Sequence, residues 1–262
     1  MEFLSNINAL YVASGFGVGM IVGLTGVGGG ALMTPILILL FGVHPAAAVG
    51  TDLLYASVTK SGGSVVHSLN KTIHWPIVGK LALGSVPAAL ATLLLFNVLG
   101  INSAGTSALV SKMLGVALIL TALALVFRGT ILRAYTKRVG VLSPQTTTIL
   151  TIATGAILGV LVTISSVGAG ALGVTALVLL YPEIPISRIV GSDIAHAVPL
   201  TLVAGAGHWL LGSVDFALLG SLLIGSLPGI VIASSFVPRT SDRVLRFLLA
   251  AVLTAVSIKL LA

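Results

Sequence analysis

Asp52 and Asp193 stand in matching settings, Gly50-Thr51-Asp52 and Gly191-Ser192-Asp193, and fifteen residues beyond each comes a histidine, His67 and His208. Lys60 follows the first aspartate, and His196 lies three residues past the second. All six fall inside strongly apolar runs. There a central charge costs about 2.5–3.5 kcal/mol on insertion scales, so such a group faces a cavity or a partner. The chemistry on offer is attraction of an anion by an ammonium and proton relay by carboxylate and imidazole. Each residue also has a plainer use. Lys60 can pair with Asp52 or snorkel to the inner surface, the aspartates can hold irregular backbone, and His67 and His208 can anchor helix ends at the membrane interface. On a helical wheel Asp52, Tyr55, Thr59, Lys60 and His67 fall within roughly 140°, one polar face.

Two glycine-rich breaks are the second chemical feature. Leu24-Thr25-Gly26-Val27-Gly28-Gly29-Gly30 precedes the apolar run Ala31–Phe41, and Ser165-Ser166-Val167-Gly168-Ala169-Gly170 precedes Ala171–Tyr181. Each break therefore ends at a helix N-terminus, where free N–H groups and the positive end of the helix dipole favour an anion and glycine lets it approach the backbone. Thr25, Gly28, Gly29, Gly30, Lys60, Ser165, Ser166, Gly168 and Gly170 are the candidate substrate-binding residues on this reading. Asp52, Asp193, His196, His67 and His208 are candidates for proton coupling or for a structural role. Tight helix packing is the competing use of the glycines, and for Gly15, Gly19 and Gly23, at every fourth position, packing is the expectation.

The elements that must position these groups repeat. Gly28–Leu32 aligns with Gly168–Leu172; after a one-residue slip near Pro185, Gly50–Asp52 aligns with Gly191–Asp193, His67 with His208, and Gly84–Pro87 with Gly225–Pro228. The spacing predicts two copies, 6–127 and 146–261, joined by a basic linker, 128–145. Each copy begins with a long apolar piece, 8–41 or 147–181, interrupted near its middle. Three further runs follow: 45–69, 76–98 and 107–127 in the first copy, and 186–210, 215–236 and 242–261 in the second. A piece well above the roughly 20 residues that span a bilayer is either steeply tilted or folded back on itself.

Composition makes the surrounding medium a bilayer: 57% of the residues are hydrophobic and 7% charged, against roughly a quarter charged in soluble domains. The formal charge of +7 comes from 13 basic against 6 acidic residues, and because the basic residues sit between apolar runs they orient the chain rather than bind nucleic acid. If the first piece of each copy folds back, Lys71, Lys80, Arg188, Arg239, Arg243, Arg246 and the linker's Arg128, Arg133, Lys137 and Arg138 all lie inside, 10 of the 13. The predicted fold is thus an all-α polytopic membrane protein of two inverted-topology repeats, each a broken hairpin followed by three transmembrane helices. The linker is then cytoplasmic and both termini outside. Glu2, with no Lys or Arg among the first eleven residues, argues against a cleaved signal peptide. The absence of cysteine excludes disulfides and thiolate-bound metal, and no cofactor or metal is expected.

The paired motifs Gly26-Val27-Gly28-Gly29-Gly30 with Pro35, Gly50-Thr51-Asp52, His67, Gly84-Ser85-Val86-Pro87 and their second-copy counterparts resemble the sulfite exporter TauE/SafE family over about 10–261. The resemblance implies transport of a small sulfur-containing anion, such as sulfite, thiosulfate or a short organosulfonate, across the bacterial cytoplasmic membrane. The second copy departs from the first at Gly168-Ala169-Gly170 and at Thr175, opposite Pro35. Inverted repeats with broken helices carry substrate near the midplane, and an inside-negative potential favours outward movement of one negative charge by about 2.3 kcal/mol per 100 mV. The expected function is therefore export of sulfite by alternating access. The alternatives are proton-coupled uptake of thiosulfate or an organosulfonate and, more remotely, an intramembrane enzyme using Ser165 or Ser166 with His196 or His208. The expected partners are the anion, the lipid bilayer and, as further candidates, protons and a second copy of the chain.

Overall fold

The computed structural model describes residues 8–25, 30–100, 107–138, 143–235 and 242–261. These form ten helices and no strand: α1 (Ala9–Thr25), α2 (Gly30–Leu39), α3 (Pro45–Leu69), α4 (Trp75–Val98), α5 (Ser107–Arg138), α6 (Pro144–Ser165), α7 (Ala171–Leu180), α8 (Ile186–Leu210), α9 (Phe216–Ser235) and α10 (Asp242–Leu261). Prolines in the first turn start α3, α4 and α6, where their missing N–H would have no helical partner. Ser143 caps α6 by accepting from Thr146 N–H. α3 and α8 end alike: Thr72 N–H donates to His67 O and Ser213 N–H to His208 O, both at 2.9 Å, with Lys71 and Gly212 in the left-handed region. Helix α5 runs on through Arg138, so the first part of the basic linker is helical rather than a loose connection. Its 32 residues are about 48 Å long at 1.5 Å per residue.

The outer surface is apolar and the centre polar, the reverse of a soluble protein. Leu40, Leu69, Leu83, Leu94, Val98, Ile149 and Leu210 are among the exposed side chains, while Asp52, Lys60, Asp193, His196 and many hydroxyls are buried. Among the described residues α4, α6 and α8 are each long and apolar enough to cross a bilayer. The protein is a multi-pass, all-α membrane protein.

Both long first pieces fold back on themselves. Tyr11, near the start of α1, meets Phe41 beyond the end of α2 edge to face at 4.9 Å, and Thr151 in α6 hydrogen-bonds Tyr181 beyond α7 at 2.8 Å. Tyr11 and Thr151, like Phe41 and Tyr181, occupy matching places in the two copies. The helix contacts pair off in the same way. A Cβ on Gly15 or Gly19 in α1 would strike the α9 backbone at Leu222 and Ser226, and one on Gly155 or Gly159 in α6 would strike α4 at Leu81 and Ser85. Small residues let each pair of backbones touch. Each hairpin thus lies against a helix of the other half. At the centre, α3 and α8 run antiparallel: Gly50, at the start of α3, abuts Ser213 and His208, and Gly191, at the start of α8, abuts Thr72 and His67.

Candidate functional site

Where α3 and α8 cross, the short helices α2 and α7 bring their N-terminal halves to the two aspartates, α2 through Thr34 in its second turn and α7 through Gly173 in its first. Asp52, fully buried, accepts on Oδ2 from Thr34 Oγ1 at 2.5 Å and from Thr34 N–H at 3.2 Å, both from α2. Asp193 presses Oδ1 against Gly173 in the first turn of α7, where a Cβ would collide with it. At α7 the carboxylate lies at the positive end of the helix dipole, where an anionic ligand would also be favoured. The protein's own carboxylates thus lie against both short helices, Asp52 against α2 and Asp193 against α7.

Lys60 lies two turns past Asp52, close to the crossing point marked by Leu54 against Gly205 and by Gly63 against Ile194. It is 7% exposed and acts electrostatically on Asp193, Asp52 and His196, with Asp193 its stronger carboxylate partner. No ion pair within 4 Å holds it among the described residues. Its counterpart in the second copy is Thr201, whose hydroxyl is turned to Ala197 O at 2.8 Å. Two carboxylates thus share one ammonium.

His196 is buried and joins Ser85 Oγ through Nε2 at 2.8 Å, leaving Nδ1 without a partner. The counterparts of this pair are Tyr55 and Ser226, which also lie together. His208 is buried too: its Nε2 meets Thr163 O at 2.9 Å and its ring lies edge-on to Phe96. His67, its repeat mate, is half-buried and bonds Thr72 Oγ1 at 2.8 Å. The two histidines that look alike in sequence therefore have different surroundings.

The serines of the second break also part company. Ser165 Oγ donates to Leu161 O at 2.8 Å and accepts from Val167 N–H at 3.2 Å, so it closes the end of α6. Ser166, in the left-handed region at φ 57°, turns its buried hydroxyl to the Asp52 carboxyl. Gly168 sits at φ 117° and Gly170 immediately precedes α7. Gly28 and Gly29 lie outside the described residues, as do the surroundings of Gly23 and Gly30 and the side chain of Thr25. Thr34, Ser85 and Gly173 were missed by sequence reasoning. Only the recurrence of Ser85 as Ser226 could have flagged one of them.

The model of the family named sulfite exporter TauE/SafE matches residues 11–260. The chain belongs to that family. It is 39% identical over 251 residues to the probable membrane transporter protein YjnA of Bacillus subtilis, covering 95% of this chain and 98% of the relative. It is 28% identical over 227 residues to the probable membrane transporter protein YdhB of the same organism, covering 84% and 86% of the two chains. A third, YunE, also named a probable membrane transporter protein, is 38% identical over 78 residues, 30% of this chain and 27% of the relative. No solved structure matches the chain. This TauE/SafE protein is thus a membrane transporter and not an enzyme.

Proposed function

We propose that this TauE/SafE transporter exports a small sulfur oxyanion, sulfite first, by alternating access about the crossing of α3 and α8. The observation that carries the reading is Lys60: a buried ammonium near the crossing, without a close ion pair among the described residues, is the group an anion would seek. On this reading Ser166, Gly168 and Gly170 of the second break face the anion, Ser165 shapes the end of α6, and Thr25, Gly28, Gly29 and Gly30 are the matching candidates in the sequence of the first break. Asp52 and Asp193 hold the half-helices. Matched contacts in the two copies, together with antiparallel α3 and α8, support two oppositely oriented copies that exchange access by rocking against each other. The positive-inside count supports a bacterial inner-membrane placement with residues 128–145 cytoplasmic and both termini outside.

Proteoliposomes loaded with sulfite test the direction. An imposed inside-negative potential drives sulfite out if the protein exports it, and no protein-dependent loss refutes the reading. One observation favours the second reading, proton-coupled uptake of thiosulfate or a short organosulfonate: Asp193 keeps one buried oxygen without a partner, and His196 and His208 each keep one such nitrogen. Under that reading an inward proton gradient drives accumulation of the anion instead.

A further inference from the structure

Helices α3 and α8 match in place, yet beyond their crossing they differ in polarity. Ser61, Ser64, Ser68, Asn70 and Lys71 of the first copy stand where the second has Leu202, Gly205, Trp209, Leu211 and Gly212. On a helical wheel at about 100° per residue Ser57, Lys60, Ser61, Ser64 and Ser68 fall within roughly 100°, one polar stripe down the second half of α3, and Lys71 stands just past its end. The matching positions in α8 are Val198, Thr201, Leu202, Gly205 and Trp209. A hydroxyl-bearing face in hydrocarbon requires hydrogen-bond partners, from protein or from water.

The packing differs in step. Before Lys60 the stripe side of α3 is covered by α8: Gly50 abuts Ser213 and His208, and Leu54 seats on Gly205. Past Lys60 the contacts with α8 move round to the neighbouring face, to Gly63 against Ile194 and to His67 against Gly191. Ser61 and Ser68 are left exposed and Ser64 half-buried, while Gly205, the counterpart of Ser64, is buried beneath Leu54. The residue corresponding to Leu54 is Ala195, too small to give Ser64 the same cover. Among the described residues the hydroxyls of Ser64 and Ser68 bond nothing, and that of Ser61 turns back to Ser57 O at 2.7 Å. At the head of the stripe the Lys60 ammonium, on a residue 7% exposed, has no hydrogen bond or ion pair among the described residues, yet is not sealed from solvent.

We infer that Ser61, Ser64 and Ser68 form the wet wall of a passage by which a small anion reaches Lys60 from the end of the molecule that carries Lys71, the opposite end being closed by Leu54 on Gly205 and by His208 on Thr163 O. From Lys60 to the end of α3 is nine residues, about 14 Å. That is close to half of a hydrocarbon core roughly 30 Å thick, so the stripe leads from the midplane to the surface. A lysine at each end makes the path positive, which draws anions in and turns cations away. Hydroxyls between the two let an anion shed part of its water without holding it fast, as a conducting path requires. The inference rests on the reading of Lys60 as the group the anion meets, and with residues 128–145 cytoplasmic the open end faces the cytoplasm.

Single cysteines in the full-length, cysteine-free chain test this in inside-out membrane vesicles without substrate. The probes are two membrane-impermeant methanethiosulfonates, one bearing a sulfonate and the other a trimethylammonium group. Ser61→Cys and Ser64→Cys should react about tenfold faster than Val65→Cys on the apolar side of α3, because the reactive thiolate is disfavoured in apolar surroundings. Ser68→Cys supplies a further position should Ser64→Cys fold poorly. The sulfonate probe should outpace the ammonium probe by about tenfold, the low end of charge steering into a cleft, and Lys71→Gln should narrow that gap. Leu202→Cys, at the place corresponding to Ser61, should stay unreactive in right-side-out vesicles. Reaction of Ser61→Cys and Ser64→Cys no faster than that of Val65→Cys overturns the passage, since the stripe then faces lipid or a second copy. Equal rates with the two probes overturn its service to anions, and Leu202→Cys reacting from the other face as fast as Ser61→Cys overturns the closed end. Sulfite efflux by the wild type is read separately: its absence beside a reactive stripe removes sulfite and leaves the passage, and its presence beside an unreactive stripe removes the passage alone.

Discussion

Replacing Lys60 by methionine removes the one ammonium from a centre with two buried carboxylates. Its worth has a ceiling set by the geometry. Among the described residues no carboxylate oxygen lies within 4 Å of it, and two unit charges 4 Å apart at an effective dielectric constant near 20 interact by about 4 kcal/mol. The coupling between Lys60 and Asp193 should therefore measure about 2–4 kcal/mol in a double-mutant cycle. At about 2–4 °C per kcal/mol for a chain of this size, Lys60→Met should melt roughly 5–12 °C below wild type in detergent. Lys60→Met/Asp193→Asn should recover most of that loss and Lys60→Met/Asp52→Asn less, because Asp193 is the stronger partner. Sulfite efflux from proteoliposomes then separates two roles. If Lys60 meets the anion, the rescued double variant is stable and still inactive; if Lys60 only offsets Asp193, activity returns with stability. A Lys60→Met protein melting within about 2 °C of wild type, or equal rescue by the two asparagines, would refute this account of the centre.

Thr34→Val deletes the hydroxyl bond to Asp52 while keeping shape, and should destabilise by about 1.5–3 kcal/mol, the usual worth of a bond to a charged group, read as a lower melting temperature. Gly84→Ala drives a Cβ into the α6 backbone, with Ala156 N at 2.7 Å, and should destabilise by about 1–3 kcal/mol as overpacking does. Gly225→Ala should match it from the other half, and Gly79→Ala, which meets nothing within 4 Å, should not. Single cysteines in this cysteine-free chain test orientation: His44→Cys and Leu211→Cys should label from outside, and Asn70→Cys and Glu183→Cys from inside. Labelling of His44→Cys and Glu183→Cys from the same face would exclude opposed copies.

The all-helical fold, the two bends and the packing role of Gly15 and Gly19 were legible because they rest on local composition and on spacing within one chain. The partners of the buried charges were not. Thr34 meets Asp52 across 18 positions and Ser85 meets His196 across 111, and a helical wheel reports which face a residue occupies without naming what covers it. Ser165 and Ser166 are adjacent and chemically identical, yet one closes α6 and the other turns to the Asp52 carboxyl, because the left-handed turn at Ser166 sends the two hydroxyls different ways. His67 and His208 look equivalent by their places in the repeat, but only the second is covered, by Phe96 and the end of α6.

The crossed embrace of α1 with α9 sets an order of events during synthesis. Gly15 finds its seat on Leu222 only after roughly two hundred further residues have been made, about 10–40 s at ordinary ribosomal speeds. Throughout that interval the groove of small residues along α1 has lipid, an insertase or a neighbouring nascent chain as its only company. The first half therefore enters the membrane unfinished, and its maturation waits on the second.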